Sequence, residues 1–298
     1  MIAVAGRSIG TKIRDIIGAI QNSPRVLVGA LIVLCMIVCA VFAPWIAPND
    51  PSTQDLANTL LPPMWSSAGS RQFPFGTDAL GRCVLSQVIY GARIALQVGF
   101  LAATGATVIG TTLALAAGYC GGKVDRAIGY LVDLWMSLPP VVLSLTLMVG
   151  LGTGVGNVIL SIVLVDWTRF CRVVRSEVLV VRRKDFVLAA RLLGFGHLRI
   201  VLREILPSVA PLIITLFTLQ VGIGVIVEAI LSFVGMSVTA DTPAWGMMIA
   251  DGRSDIHEAP WGALLPIVAM FLTVLGLNLL GEGLRVALDP RLRKRDAS

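Results

Sequence analysis

The chain alternates between long apolar runs and short polar breaks, and the breaks carry most of its charge. A helix needs about 20 apolar residues, rising 1.5 Å each, to cross ~30 Å of hydrocarbon. On that measure the pattern predicts six membrane-spanning helices. They cover about 26–46, 94–119 and 127–151, then a fourth that follows a turn at 150–156 and ends near Trp167, then 208–234 and 263–284. Pro44, Trp45 and Pro48 mark the end of the first, an interfacial tryptophan followed by helix-breaking residues. Pro139 and Pro140 kink or interrupt the third. Residues 49–91, with Pro51, Pro62, Pro63 and Pro74, are too broken to span, and 235–262 form a second long loop. The first long apolar run starts only near Val26 and is long enough to span, so it does not read as a cleaved leader.

One polar break has a pattern of its own, DFVLAARLLGFGHLRIVLREILP over 185–207, opened by Asp185. Phe186, Ala189, Ala190 and Leu193 recur at i, i+3, i+4 and i+7 and predict one helical face, with Lys184 and Arg191 opposite. Gly194 and Gly196 break that helix. A second short helix is expected from about His197 to Leu206, with Pro207 as its stop. Leu188 projects from the charged side, where an apolar side chain gains little unless a partner covers it. The expectation is a helix, a sharp turn and a second helix that present a docking surface.

Composition confirms the environment: 56% of the residues are hydrophobic and 14% charged, outside the range of soluble domains. In a soluble protein the net charge of +6 would suggest nucleic acid. Here it follows from the positive-inside rule, and no nucleic-acid partner is expected. Of the 24 Lys and Arg residues, 20 fall on the side of the termini and the 185–207 loop, which makes that side cytoplasmic. Residues 1–25 read as a cytoplasmic arm lying on the membrane surface and 26–93 as the first helix with a long extracytoplasmic loop. Residues 94–285 form the core membrane domain, with a cytoplasmic loop at 169–207, and 286–298 a cytoplasmic tail. The fold class is an all-α integral membrane protein of six helices, both termini inside.

Candidate chemistry is sparse. Asp133, Glu228 and Glu282 lie in or beside apolar spans, where a carboxylate is costly and a functional candidate by default. Asp133 and Glu282 sit within about two turns of the cytoplasmic ends. Glu228 is the deep one, and with Asp133 it is a candidate for a translocation path. A proton-coupled carrier using Glu228 is the rival reading, and a structural carboxylate bonded to a neighbouring span is the plainer one. GYCGGKVDR at 118–126 lacks the glycine and the Ser or Thr of a phosphate loop. His197 and His257 fall on opposite sides of the membrane, and the five cysteines have no ligand or disulfide spacing. No catalytic, metal or cofactor site is expected.

The 185–207 stretch resembles the EAA loop of ATP-binding-cassette (ABC) importer permeases. Ala189, Ala190, Gly194, Ile205, Leu206 and Pro207 match it, and Leu188 stands where the family has glutamate. The segment 75–96 (FGTDALGRCVLSQVIYGARIAL) resembles the dipeptide, oligopeptide and nickel branch, with Cys83 where aspartate is usual and Gln87 where arginine is. LSFVGM at 231–236, PAWGMMIADGR at 243–253, PWGALLP at 260–266 and LNLLGEGLRVALDPR at 277–291 continue that resemblance in order, though aspartate is commoner at Glu282 and Val286. It implies the type I importer fold in the bacterial inner membrane, and import of short peptides, or of nickel or another small solute. Its implied partners are membrane lipid, a homologous second permease, two cytoplasmic ATP-binding subunits and an extracytoplasmic solute-binding protein. Trp245 and Trp261 are expected at the interface, beside an outer loop suited to that binding protein.

Overall fold

The computed structural model describes residues 24–239 and 242–288, and most of the expected surface arm and most of the basic tail lie outside it. The regular structure among the described residues is helical, apart from one isolated antiparallel bridge between Thr77 and Cys83. Apart from short turns of helix at Ala43–Ile46 and Leu56–Asn58, the helices are α1 (Pro24–Val41), α2 (Val84–Cys120), α3 (Gly122–Met136), α4 (Pro140–Leu151), α5 (Val155–Val181), α6 (Asp185–Leu192), α7 (His197–Phe233), α8 (Trp245–Ser254) and α9 (Trp261–Leu288). Of these, α1, α2, α7 and α9 are each long and apolar enough to cross a membrane. The pair α3 and α4 makes a fifth candidate, bent by 85° at the break between them. Pro139 and Pro140 enforce that break: neither has an amide proton, and Pro140 opens α4 where the missing donor costs nothing.

Three elements depart from the periodic reading. First, α5 runs past Trp167 to Val181. Its inner face stays apolar through Phe170, Cys171, Val174 and Val178, all buried, while Arg169 and Arg172 emerge on the exposed face. Charge therefore did not end the helix; it marks one side. Second, α2 begins ten residues before the first expected position, so Gly91 is helical, and a Cβ there would meet the Trp245 ring at 2.6 Å. Third, Pro207 stops nothing. A π turn at Val201–Ile205 shifts the hydrogen-bond register just ahead of it, so the helix passes through a residue that cannot donate.

Close packing rests on small residues. Ala102, Ala106, Gly110, Ala114 and Gly118 recur every four positions along α2 and are all buried. This is the small-xxx-small pattern that lets membrane helices approach. Against α5, a Cβ on Gly110 would lie 2.4 Å from Phe170 Cβ and 2.6 Å from the Trp167 carbonyl oxygen. On the other side α2 meets α7, where a Cβ on Gly224 would lie 3.0 Å from the Gly99 Cα. Helix α1 lies along α9 in the same way, with Gly29 against Leu280 and Gly283 against Val26.

At the end of the bundle holding the 49–83 segment, side chains tie the loops down. Asp78 accepts from the backbone of Leu80 and Arg82, from Arg82 Nε at 2.7 Å and from Gln87 Nε2 at 2.9 Å. Gln87 thus holds Asp78 as a neutral donor. Trp245 is buried, not interfacial, and donates to the Val88 carbonyl; Trp261 donates to the Thr77 carbonyl. Both indoles are structural pins across sequence-distant segments.

Candidate functional site

The 185–207 stretch folds as a hairpin seated on the ends of α2 and α5. Asp185 opens α6, where its charge complements the helix dipole. Gly194, at φ +77°, closes it: Phe195 N–H donates to the Ala190 carbonyl at 3.2 Å and Gly194 N–H to that of Arg191 at 3.0 Å. These are the two bonds of a Schellman motif, which satisfies carbonyls that a helix end otherwise leaves free. Only two residues then separate Gly194 from α7, which starts at His197 and forms the second arm of the hairpin.

The seated face differs from the one the spacing suggested. Val187 and Ala190 are the buried residues of α6, packed into a cluster with Val178, Val181, Ile200 and Ile205. Of the expected face only Ala190 turns inward; Phe186, Ala189 and Leu193 stay exposed. In a helix of two turns a face centred one residue away satisfies almost the same pattern. The signal that separates them is the β-branched Val187, which continues the valine row of α5.

What remains outward is apolar. Leu188 is 44% exposed as expected, and Leu192, Leu193 and Leu198 are 89, 73 and 72% exposed. Leu192 and Leu198 were not singled out by the sequence reading; their signal is an apolar side chain at a helix end beside a glycine turn. Leu206 is half-buried against the cluster beneath, and Pro207 lies within α7. The base of the hairpin is fixed by Tyr119 Oη and His197 Nδ1 at 2.8 Å, by Arg191 over the Tyr119 ring, and by Arg182 donating to the Gly118 carbonyl at 2.7 Å. Such an arrangement is an apolar knob on a pinned base.

The carboxylates have other settings. Glu228 is buried on α7, where Oε1 accepts from Ser232 Oγ at 2.7 Å and from Ser237 Oγ at 3.1 Å. Because Ser237 lies beyond the glycine turn that ends α7, Glu228 pins that turn. Glu228→Leu would strand both hydroxyls and should cost about 1–3 kcal/mol, whereas Glu228→Gln keeps an acceptor and should cost less. Thermal melting of the two purified variants checks the order. Asp133 is exposed and pairs with Arg172, while Asp125 takes two bonds from Arg175, the one from Nη2 at 2.7 Å. Both pairs line a cavity of about 430 Å³ between α3 and α5. Glu282 meets Arg25 at 3.9 Å, an exposed pair of little energetic weight. A fourth carboxylate escaped the sequence reading: Asp166 is buried in α5 and accepts from Gln220 Nε2 of α7. It was missed because the fourth helix was expected to end beside it. Among the described residues no group of acidic, histidine or cysteine side chains is placed to hold a metal.

Residues 106–294 match the family model of the binding-protein-dependent transport system inner membrane component. The chain belongs to that family. Residues 15–63 match the N-terminal membrane domain of oligopeptide transport permease C. Over 281 residues the permease is 37% identical to the dipeptide transport system permease protein DppC of Alkalihalophilus pseudofirmus, covering 94% of this chain and 90% of that one. It is 39% identical over 266 residues to the di/tripeptide permease DppC of Pseudomonas aeruginosa, covering 89 and 88%. To the glutathione permease GsiD of Shigella dysenteriae it is 39% identical over 264 residues, covering 89 and 86%. It is thus a permease subunit of an ABC importer and a multi-pass component of the inner membrane, as the EAA-like and FGTD-like segments implied.

Proposed function

We propose that the permease carries short peptides inward by ATP-driven alternating access, with the 185–207 hairpin as the piece an ATP-binding subunit grips. The observation that carries this reading is the hairpin itself: buried Val187 and Ala190 lock it to the bundle, while Leu188, Leu192 and Leu193 stand out with nothing over them. A lever needs a fixed root and a face for a partner, and nucleotide can drive it only by favouring one conformation of the assembly over another. Peptide as cargo is supported by the relatives' dipeptide, di/tripeptide and glutathione systems.

On this reading α5, whose second half is too charged to be recognised by apolarity alone, is the sixth span, and both termini are cytoplasmic under the positive-inside rule. The Asp133–Arg172 and Asp125–Arg175 pairs border the inner part of the path. A homologous second permease, two ATP-binding subunits and an extracytoplasmic solute-binding protein complete the machine, and ATP hydrolysis belongs to the ATP-binding subunits. Glu228 serves the fold, since its two partners are uncharged hydroxyls of its own chain.

The test is uptake of a labelled dipeptide by proteoliposomes holding the complete transporter. Uptake should follow internal or external ATP, according to orientation, and persist when an ionophore collapses the proton gradient. Uptake that ignores ATP and stops with the ionophore would contradict the proposal.

A further inference from the structure

Beside the hairpin a groove of about 1000 Å³ runs between the second half of α2 and the start of α7. Its walls are mainly apolar, among them Val108, Leu115, Val201, Leu202 and Ile213. From Thr107 to Tyr119 it follows thirteen residues of α2, a rise of about 18 Å. One leaflet of hydrocarbon is about 15 Å deep, so the groove has the length of one acyl chain. At its mouth, sharing Tyr119, Cys120 and Arg191, a second cavity of about 390 Å³ adds Arg182 and Arg183. Neither cavity has an acidic residue in its lining. An open apolar slot ending in three arginines, a histidine and a tyrosine is the chemistry of a phosphate carrying a hydrocarbon tail.

We infer that this is a binding site for one anionic phospholipid, its acyl chain along α2 and α7 and its phosphate at Arg182, Arg183 and Arg191. The site lies where α6 leaves the bundle, so the lipid would brace the root of the hairpin. Charge complementarity decides for lipid over the rival occupant, a helix of the second permease. That rival has its own attraction at the far end, where the buried hydroxyls of Thr107 and Thr111 have no partner among the described residues.

The experiment uses the purified full-length permease in nanodiscs doped with photoactivatable phosphatidylglycerol or phosphatidylcholine, each labelled in the acyl chain. Labelling should favour phosphatidylglycerol and map to α2 and the first half of α7. Each arginine near an anionic headgroup contributes about fivefold. Arg183→Gln with Arg191→Gln should therefore lower the preference about 25-fold, and Ala116→Trp, which fills the slot, should remove the labelling with either lipid. Equal labelling by both lipids, or labelling indifferent to these substitutions, overturns the site. So does its disappearance when the second permease is added, which would assign the groove to that subunit. None of these readings requires transport, so they stand or fall apart from the peptide-import proposal.

Discussion

A Gly194→Val permease should reach the membrane in normal amounts and import about 5–30-fold less cargo, while its assembled complex still hydrolyses ATP. Gly194 sits at φ +77°, where a residue with a Cβ is strained by about 1–2 kcal/mol, and that energy is a factor of about 5–30 in a conformational equilibrium. Space is not the obstacle, since a Cβ there meets nothing within 4 Å. The penalty is conformational and local to the turn that sets α6 against α7. Strain at that point favours other arrangements of the hairpin and loosens the lever without touching the span packing. Gly194→Asn, the residue that best tolerates this backbone region after glycine, should recover most of the uptake. Measuring uptake and ATPase rate on the same preparations separates the two effects; an unimpaired Gly194→Val transporter would count against a lever of fixed geometry.

The second large effect belongs to the bundle. Gly110→Ala places its Cβ 2.4 Å from Phe170 Cβ and 2.6 Å from a backbone oxygen of α5, so the two helices must separate. Overpacking of this kind costs about 1–3 kcal/mol, and here it acts at the middle of the small-residue row that joins α2 to α5. Gly129→Ala in α3 is the matched control, since its Cβ meets nothing within 4 Å. That change should be neutral or stabilising by about 0.5–1 kcal/mol, because a helical glycine carries extra backbone entropy. Melting temperatures of the two purified variants should move in opposite directions or, at the least, far apart.

The pattern of apolar runs located α1, α2, α7 and α9 because their exposed faces meet hydrocarbon and must be apolar all round. It misjudged α5 for the converse reason. That helix buries Phe170, Val174 and Val178 inside the protein while Arg169 and Arg172 lie on its outer face, so a scan for uniform apolarity ends the span near Trp167 and sees a loop beyond it. Pro207 misled in a similar way, since a single π turn suffices to carry a helix past a missing donor. At the hairpin, glycine chemistry was fully legible: Gly194 takes the left-handed turn that the sequence demands. Which face of α6 is seated was not, because Val187 and Ala190 declare themselves only against the valine row that α5 brings to them. Trp245 carries the same lesson, since an indole beside helix breakers reads as interfacial until Gly91 is seen to leave room for it.

The most direct measurement places a photoreactive amino acid at position 192, the most exposed apolar residue of the hairpin, in the complete transporter. Irradiation should join the permease to an ATP-binding subunit, with a yield that changes between the nucleotide-free and ATP-bound complexes. Adducts confined to lipid or to the second permease, in either nucleotide state, would contradict the claim that this hairpin is where the ATP-binding subunit takes hold.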